Sequence, residues 1–240
     1  MRKILFTPKW LALTLIVLIA IPSFKSLSDW QWRRLDGRLT FNSAVTTAMA
    51  KPIVPYTDLV ANGLAANETD EWRTVSATGK FMPSQQYLLR KRSLDSEAGL
   101  WVVTPFQLNS GEVINVVRGW TPAGKSATEN PDLSPVTTAT LEIVGLLRIF
   151  KLGTTAEPTD LPDGQRIGFD PQFGTAYIQL VKAEPNLSNP EITTLPQPKL
   201  TEGTHRSYAI QWLIFIAMLI IGYVILLRND LINRDKLPIV

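Results

Sequence analysis

A chain of 240 residues with one histidine and no cysteine has little metal or nucleophile chemistry open to it, so the setting of that histidine comes first. His205 stands just before 21 uncharged residues, Ser207 to Leu227, and His205, Tyr208, Ala209 and Trp212 fall at i, i+3, i+4 and i+7, one stripe of a helix. A neutral imidazole at a membrane interface is a competent axial ligand for haem iron, and flanking Tyr and Trp rings can pack on a flat macrocycle. The same three side chains suit plain interfacial anchoring, and spacing leaves both readings open. Gln211 reads as a helix–helix hydrogen-bonding group.

Two further clusters carry charge beside aromatic surface. Trp30-Gln31-Trp32-Arg33-Arg34 follows the first apolar run. If the two apolar runs pack as an antiparallel pair, this cluster meets His205 at one membrane face. Arg33, Arg34 or Arg38 then neutralises acidic groups while Trp30 or Trp32 lines a ring, or else the cluster contacts lipid headgroups. Val116-Val117-Arg118-Gly119-Trp120-Thr121-Pro122 ends a β-like run. Gly after Arg there predicts a bulge or sharp bend that sets Arg118 and Trp120 at the sheet rim, as a partner-binding pair or as a structural cation–π corner.

Composition excludes many alternatives. Without Cys there is no thiolate catalysis, Cys-ligated zinc, iron–sulfur cluster or disulfide. The chain has no GxSxG elbow, P-loop, HExxH or Gly-rich dinucleotide turn, and its carboxylates are scattered in turns, so no enzyme activity is expected. Asn67-Glu68-Thr69 and Asn186-Leu187-Ser188 match the glycosylation sequon, a short and weak pattern.

The elements that must position these residues are legible from hydropathy. Ser207–Leu227 is long enough to cross the ~30 Å hydrocarbon core as a helix, with Tyr208, Trp212 and Tyr223 toward its ends. Trp10–Phe24 is shorter, about 22 Å at ~1.5 Å per residue. Its basic start and Ser26-Leu27-Ser28 resemble a signal peptide, but Lys25 interrupts that site, and Trp30 and Trp32 follow as anchors, so an uncleaved span is expected. Arg2, Lys3 and Lys9 precede the first span; Arg228, Arg234 and Lys236 follow the second. Both termini are therefore expected in the cytoplasm of a two-span cell-membrane protein. The formal net charge of +3 resolves into +3 before Lys25, −1 from Lys25 to Arg206 and +1 beyond, a topology signal without the footprint of a nucleic-acid binder.

Between the spans, Asp29–Ala50 reads as a helix continuing outward, and six β-branched or aromatic runs read as strands. These are Arg73–Phe81, Gln86–Arg92, Leu100–Leu108, Val113–Trp120, Thr140–Ile149 and Thr175–Val181, with Asn109-Ser110-Gly111 as a hairpin turn. The expected plan is α+β. It runs as cytoplasmic residues 1–9, span 10–28, extracytoplasmic domain 29–206, span 207–227 and cytoplasmic tail 228–240. The domain holds a helix at 29–50, a β-rich core over about 71–182 forming a small barrel or sandwich, and a Pro-rich linker at 184–203.

Taken together, these motifs resemble the surfeit locus protein one family of cytochrome c oxidase assembly factors over nearly the whole chain. The family's W-Q-x-x-R-x-x-x-K is met by Trp30, Gln31 and Arg34, with Arg38 for the Lys. V-x-x-x-G-x-F is met by Val75, Gly79 and Phe81, and G-x-x-V-V-T-P-F-x-L by Gly99, Val102, Val103, Thr104, Pro105, Phe106 and Leu108. V-N-R-G-W-x-P is met by Val116, Arg118, Gly119, Trp120 and Pro122, with Val117 where Asn is expected and an Asn two residues earlier at Asn115. H-x-x-Y-A-x-Q-W is met in full by His205, Tyr208, Ala209, Gln211 and Trp212. The resemblance implies a non-enzymatic factor that binds haem a and assists its insertion into oxidase subunit one. His205 would be the iron ligand, Tyr208 and Trp212 one pocket wall, and Trp30 with Arg34 the opposing wall and propionate contact. Implied partners are subunit one, a respiratory supercomplex, the haem a synthesis machinery and membrane lipid. The alternative is a structural accessory subunit of the oxidase without its own haem, using Arg118 and Trp120 at its interface.

Overall fold

The computed structural model describes residues 6–60, 68–124, 129–150, 160–187 and 189–235. Arg2, Lys3 and Lys236 of the topology count, and Asn67 and Ser188 of the two sequons, lie outside them. The chain divides into two units, Met1–Ser43 with Lys199–Val240, and Ala44–Pro198.

The first unit is a pair of long helices. α1 (Pro8–Met49) runs for 42 residues, so the first span and the helix expected after it are one element. Pro8 opens it, where a missing N–H costs nothing, and Leu11 N–H bonds to Thr7 O at 2.9 Å. Pro22 lies inside without ending it, and Ser23 Oγ donates to Ile19 O at 2.8 Å within that turn, the kind of side-chain bond that lets apolar helices carry proline. The second long helix, His205–Asp235, holds 31 residues. Thr204 starts it by accepting from Tyr208 N–H at 3.2 Å. Both are long and apolar enough to cross a membrane.

Their contacts set an antiparallel register. Trp10 Nε1 donates to Asp230 Oδ2 at 2.8 Å, Thr14 Oγ1 and Tyr223 Oη share a hydrogen bond at 2.7 Å, and Ser28 Oγ donates to Ala209 O at 3.0 Å. Phe24 stacks on Trp212 with centroids 5.5 Å apart. Ser28 and Ala209 are both fully buried, because small side chains let the backbones approach. Along α1, the polar contacts at Trp10 and Gln31 stand about 31 Å apart at ~1.5 Å per residue, close to the depth of a bilayer core.

The second unit is built on one mixed sheet. Its strands are β1 (Val54–Pro55), β2 (Thr74–Phe81), β3 (Tyr87–Leu94), β4 (Glu97–Leu108), β5 (Val113–Pro122), β6 (Leu141–Ile149), β7 (Gln165–Arg166) and β8 (Ala176–Glu184), with a short helix α2 (Tyr56–Val60). The second long helix is therefore α3. Each of the six expected runs overlaps one of the six long strands; β2 and β6 fall within the expected bounds, and β3, β4, β5 and β8 extend two or three residues beyond them. The order is β1-β2-β6-β8-β5-β4-β3-β7, and β2 pairs again with β4, so the ladders of β2, β6, β8, β5 and β4 return on themselves. Asn109–Gly111 joins β4 to β5, with Gly111 at φ 91°, as a tight turn requires.

The circuit depends on Gly79. β2 pairs with β6 as far as Gly79 and with β4 from Gly79 onward, and a side chain at 79 would collide with the Gln107 backbone. Two residues later, Phe81 packs edge-on against Phe106, centroids 5.0 Å apart, within a core that includes Val75, Val116, Ile143 and Ile178. Successive strand residues face opposite ways. Val116 thus lies in that core, while Val117 joins a second cluster with Tyr87, Leu89, Val103 and Tyr177.

Candidate functional site

The start of α3 is set by local chemistry. Gly203 holds φ +69°, a conformation suited to glycine, and turns the Pro-rich segment into the helix. His205 is thereby the first helical residue, on the side of α3 that meets α1. Its Nδ1 lies 2.9 Å from Gln31 Oε1. A carbonyl oxygen only accepts, so Nδ1 is the donor in this contact, which in the neutral ring leaves the lone pair on Nε2. The Nε2 edge faces Gly203: a first side-chain carbon at 203 would stand 3.5 Å from Cδ2 and 3.6 Å from Nε2. The ring is therefore held at Nδ1, and its other edge lies beside Gly203, where a glycine leaves the space that a side chain would take.

Of the expected site residues, the structure brings His205 into contact with α1. Trp212 uses a ring face against Phe24 and also meets Phe215 edge-on at 5.6 Å, so it belongs to the helix–helix seam. Tyr208 and Trp30 are 47% and 48% exposed, and Arg34 is exposed. Trp30 and Arg34 are four residues apart and share a face of α1, next to the face that presents Gln31. Gln31 and Gly203 are the residues that the reading of candidate ligands missed. The signal for Gln31 was present in the Trp-Gln pair; nothing local marked Gly203 as the neighbour of an imidazole.

The fit to a metal group follows from the donor set. Among the described residues, no three or more of His, Cys, Asp and Glu gather to hold a bare ion. One imidazole with its second nitrogen pinned suits iron whose other ligands come with it, as in haem, where a macrocycle supplies the equatorial nitrogens. The residues present fit that group through one axial ligand.

Arg118 and Trp120 lie in the sheet unit, each 5% exposed. Val102 pairs with Gly119 and Val103 with Val117, so Arg118 is the extra residue of a bulge, as the Arg-Gly pair predicted. Arg118 Nη1 donates to Gln86 Oε1 at 3.1 Å, which also accepts from Thr104 Oγ1 at 2.9 Å, and the guanidinium lies 5.8 Å from the Phe81 ring centroid. Burial pushes its pKa down to about 10, against a smaller upward pull from Glu191. Trp120 lies over Gly99, donates from Nε1 to Arg92 O at 3.3 Å, and exchanges backbone hydrogen bonds with Thr193 at 2.8 and 2.7 Å. Asn115, the displaced Asn of the motif, is fully buried; its Oδ1 accepts from Tyr87 Oη at 2.7 Å and its Nδ2 donates to Asp170 O at 3.3 Å. These residues tie the sheet to its covering loops.

Comparison with known proteins gives a consistent result. The model of the SURF1 family matches residues 18–217. A SURF1-like protein of Mycobacterium bovis is 26% identical over 233 residues, covering 91% of this chain and 84% of its own. A SURF1-like protein of Rickettsia felis is 25% identical, covering 90% of this chain and 96% of its own. The cytochrome oxidase assembly protein SHY1 of Saccharomyces cerevisiae is 29% identical over 126 residues, covering 52% of this chain and 32% of its own.

Proposed function

The chain belongs to the SURF1 family, and from that premise we propose that it serves the assembly of cytochrome c oxidase by binding haem a and passing it to oxidase subunit one. A relative named as a cytochrome oxidase assembly protein supports the assembly role. The observation that carries the haem reading is the hydrogen bond from His205 Nδ1 to Gln31 Oε1, with Nε2 left toward Gly203. Bound haem would supply an iron with one axial position for an imidazole. On the protein side, Gln31 holds the ring and its tautomer, and His205 Nε2 is the ligand atom. The exposed Trp30 and Tyr208 offer ring surface beside it, and Arg34 offers a cation for a propionate. A single protein ligand on a half-exposed ring binds loosely enough for release, which suits a carrier better than a store.

In this reading the antiparallel helices are a two-span anchor in the cell membrane with both termini cytoplasmic. The basic residues near the N-terminal end of α1 and the C-terminal end of α3, Lys9 and Arg228 among them, support that orientation. The protein is a carrier and scaffold without catalysis of its own.

The test is the optical spectrum of the full chain purified from cells that make haem a, beside His205→Ala. The variant is expected to lose the haem absorbance and to leave the oxidase with less haem a. Unchanged haem retention together with unchanged oxidase haem content overturns the ligand role.

A further inference from the structure

An irregularity elsewhere in the sheet unit creates a second site. β3 and β4 slip register between Leu89, which pairs with Trp101, and Arg92, which pairs with Gly99, so Arg90 and Lys91 stand opposite Leu100 alone. Lys91 takes φ 58° at this bulge. In a regular strand, three consecutive side chains alternate between faces. Around this bulge Arg90, Lys91, Arg92 and Ser93 are among the residues that line a cavity of about 470 Å³, within the ~300–1,000 Å³ usual for small-ligand sites. Ala98, Gly99 and Leu100 also line it, and among the described residues its acidic lining residue is Glu129, which leaves their charge at net +2.

The basic groups are held in place before any ligand arrives. Arg90 Nη1 donates to Gln165 Oε1 at 2.8 Å, Gln165 Nε2 to Asn130 Oδ1 at 2.7 Å, and Asn130 Nδ2 to Asp163 O at 2.9 Å. The Arg92 guanidinium lies 4.6 Å from the Trp101 ring centroid, and its Nε is buried with no hydrogen-bond partner. A buried donor without an acceptor is costly, so this guanidinium gains from any acceptor that its remaining N–H groups can share. Lys91 is exposed, able to swing onto a bound group.

We propose that this cavity binds a phosphate monoester, with Arg92 and Arg90 on its oxygens and Lys91 closing over it. A monoester carries about −1.5 to −2 charges near neutral pH, matching the net +2, and its three acceptor oxygens suit planar guanidinium forks. The monoester comes either from a soluble metabolite or from the headgroup of a lipid of the phosphatidic acid type. His205 is not among the residues that line it, and the proposal does not depend on the haem reading.

The experiment uses the full chain in phosphatidylcholine nanodiscs, titrated calorimetrically with glycerol 3-phosphate. One-to-one saturable binding is expected. Arg92→Gln and Lys91→Gln each weaken it tenfold or more, while Lys80→Gln, which removes one exposed charge on β2, leaves it unchanged. Ala98→Leu weakens it comparably with every charge in place, because it fills the cavity. Lys91 is exposed, so Lys91→Gln carries the charge test should Arg92→Gln lower folding. In discs containing phosphatidic acid, a tenfold loss of apparent affinity in the parent and none in Lys91→Gln assigns the site to lipid. Unchanged affinity assigns it to a soluble phosphate. Absence of saturable binding in phosphatidylcholine discs, or equal weakening by Lys80→Gln, overturns the proposal.

Discussion

At the scale of the residue, the consequential contact is between His205 and Gln31, 174 positions apart in the chain. Helical spacing reveals which residues share a face, and it grouped His205 with Tyr208 and Trp212. It does not reveal which residue of another helix lies opposite, and Gln31 rather than Trp30 or Arg34 takes that place. If Gln31 sets the tautomer of a haem ligand, Gln31→Leu lowers haem affinity by about 10- to 100-fold, the usual cost of losing the group that orients a ligating imidazole. Gln31→Glu keeps an acceptor at Nδ1 and retains binding. Haem titration with the axial-ligand spectrum as readout separates the two, since a purely packing role for Gln31 would leave the spectrum of the bound fraction unaltered. Tyr208 and Trp30 keep open ring surface, whereas Trp212 has its ring committed to Phe24.

At the scale of the element, the family-like motifs resolve into places where strands bend, switch partners or pack closely. Gly79 lets β2 change partners, Gly99 makes room for the Trp120 ring, and Gly119 completes the bulge at Arg118. Gly119 combines φ 155° with a site where a side chain would meet Ile192 Cγ2 and Thr193 O at 2.5 Å. Gly119→Ala is accordingly expected to destabilise by about 2–4 kcal/mol, from overpacking and backbone strain together. Gly37, inside α1 with nothing within 4 Å, provides the contrast. Gly37→Ala is expected to stabilise by about 0.5–1 kcal/mol, through helix propensity. Thermal unfolding of the two variants side by side reads both signs. The bulge was legible from Arg118-Gly119, because a glycine inside a strand-like run has few other uses. The burial of Arg118 and Trp120 was not, because it depends on Thr193 and Gln86 reaching them from outside the motif.

At the scale of the whole molecule, the ionisation of the sheet unit gives a pH-dependent handle. Tyr56 is 6% exposed, and its pKa is raised to about 12 by burial first and by Glu112 second. The folded state therefore keeps the phenol proton across the window from 10.0 to about 12, in which the unfolded chain has released it. By linkage, that proton difference makes stability fall as pH rises through the window, by about 3 kcal/mol at most. Tyr56→Phe lacks this term, so denaturant unfolding from pH 9 to 12 is expected to show the parent losing stability relative to the variant only above about pH 10. Equal pH slopes for parent and variant would place the phenol in contact with solvent.

Sequence alone determined the parts of this protein: two apolar helices, six principal strands in their chain order, the Asn109–Gly111 turn and the bulge at Arg118. Each rests on a period, a propensity or a turn residue contained within a few consecutive positions. Only the tertiary structure decided that β2 meets both β6 and β4, that Gln31 holds His205, that Asn115 serves a buried network, and that Arg90, Lys91 and Arg92 share a cavity. Those outcomes depend on which distant segments pair and in what register. That choice minimises exposed backbone and apolar surface over the whole chain, and no local pattern records it.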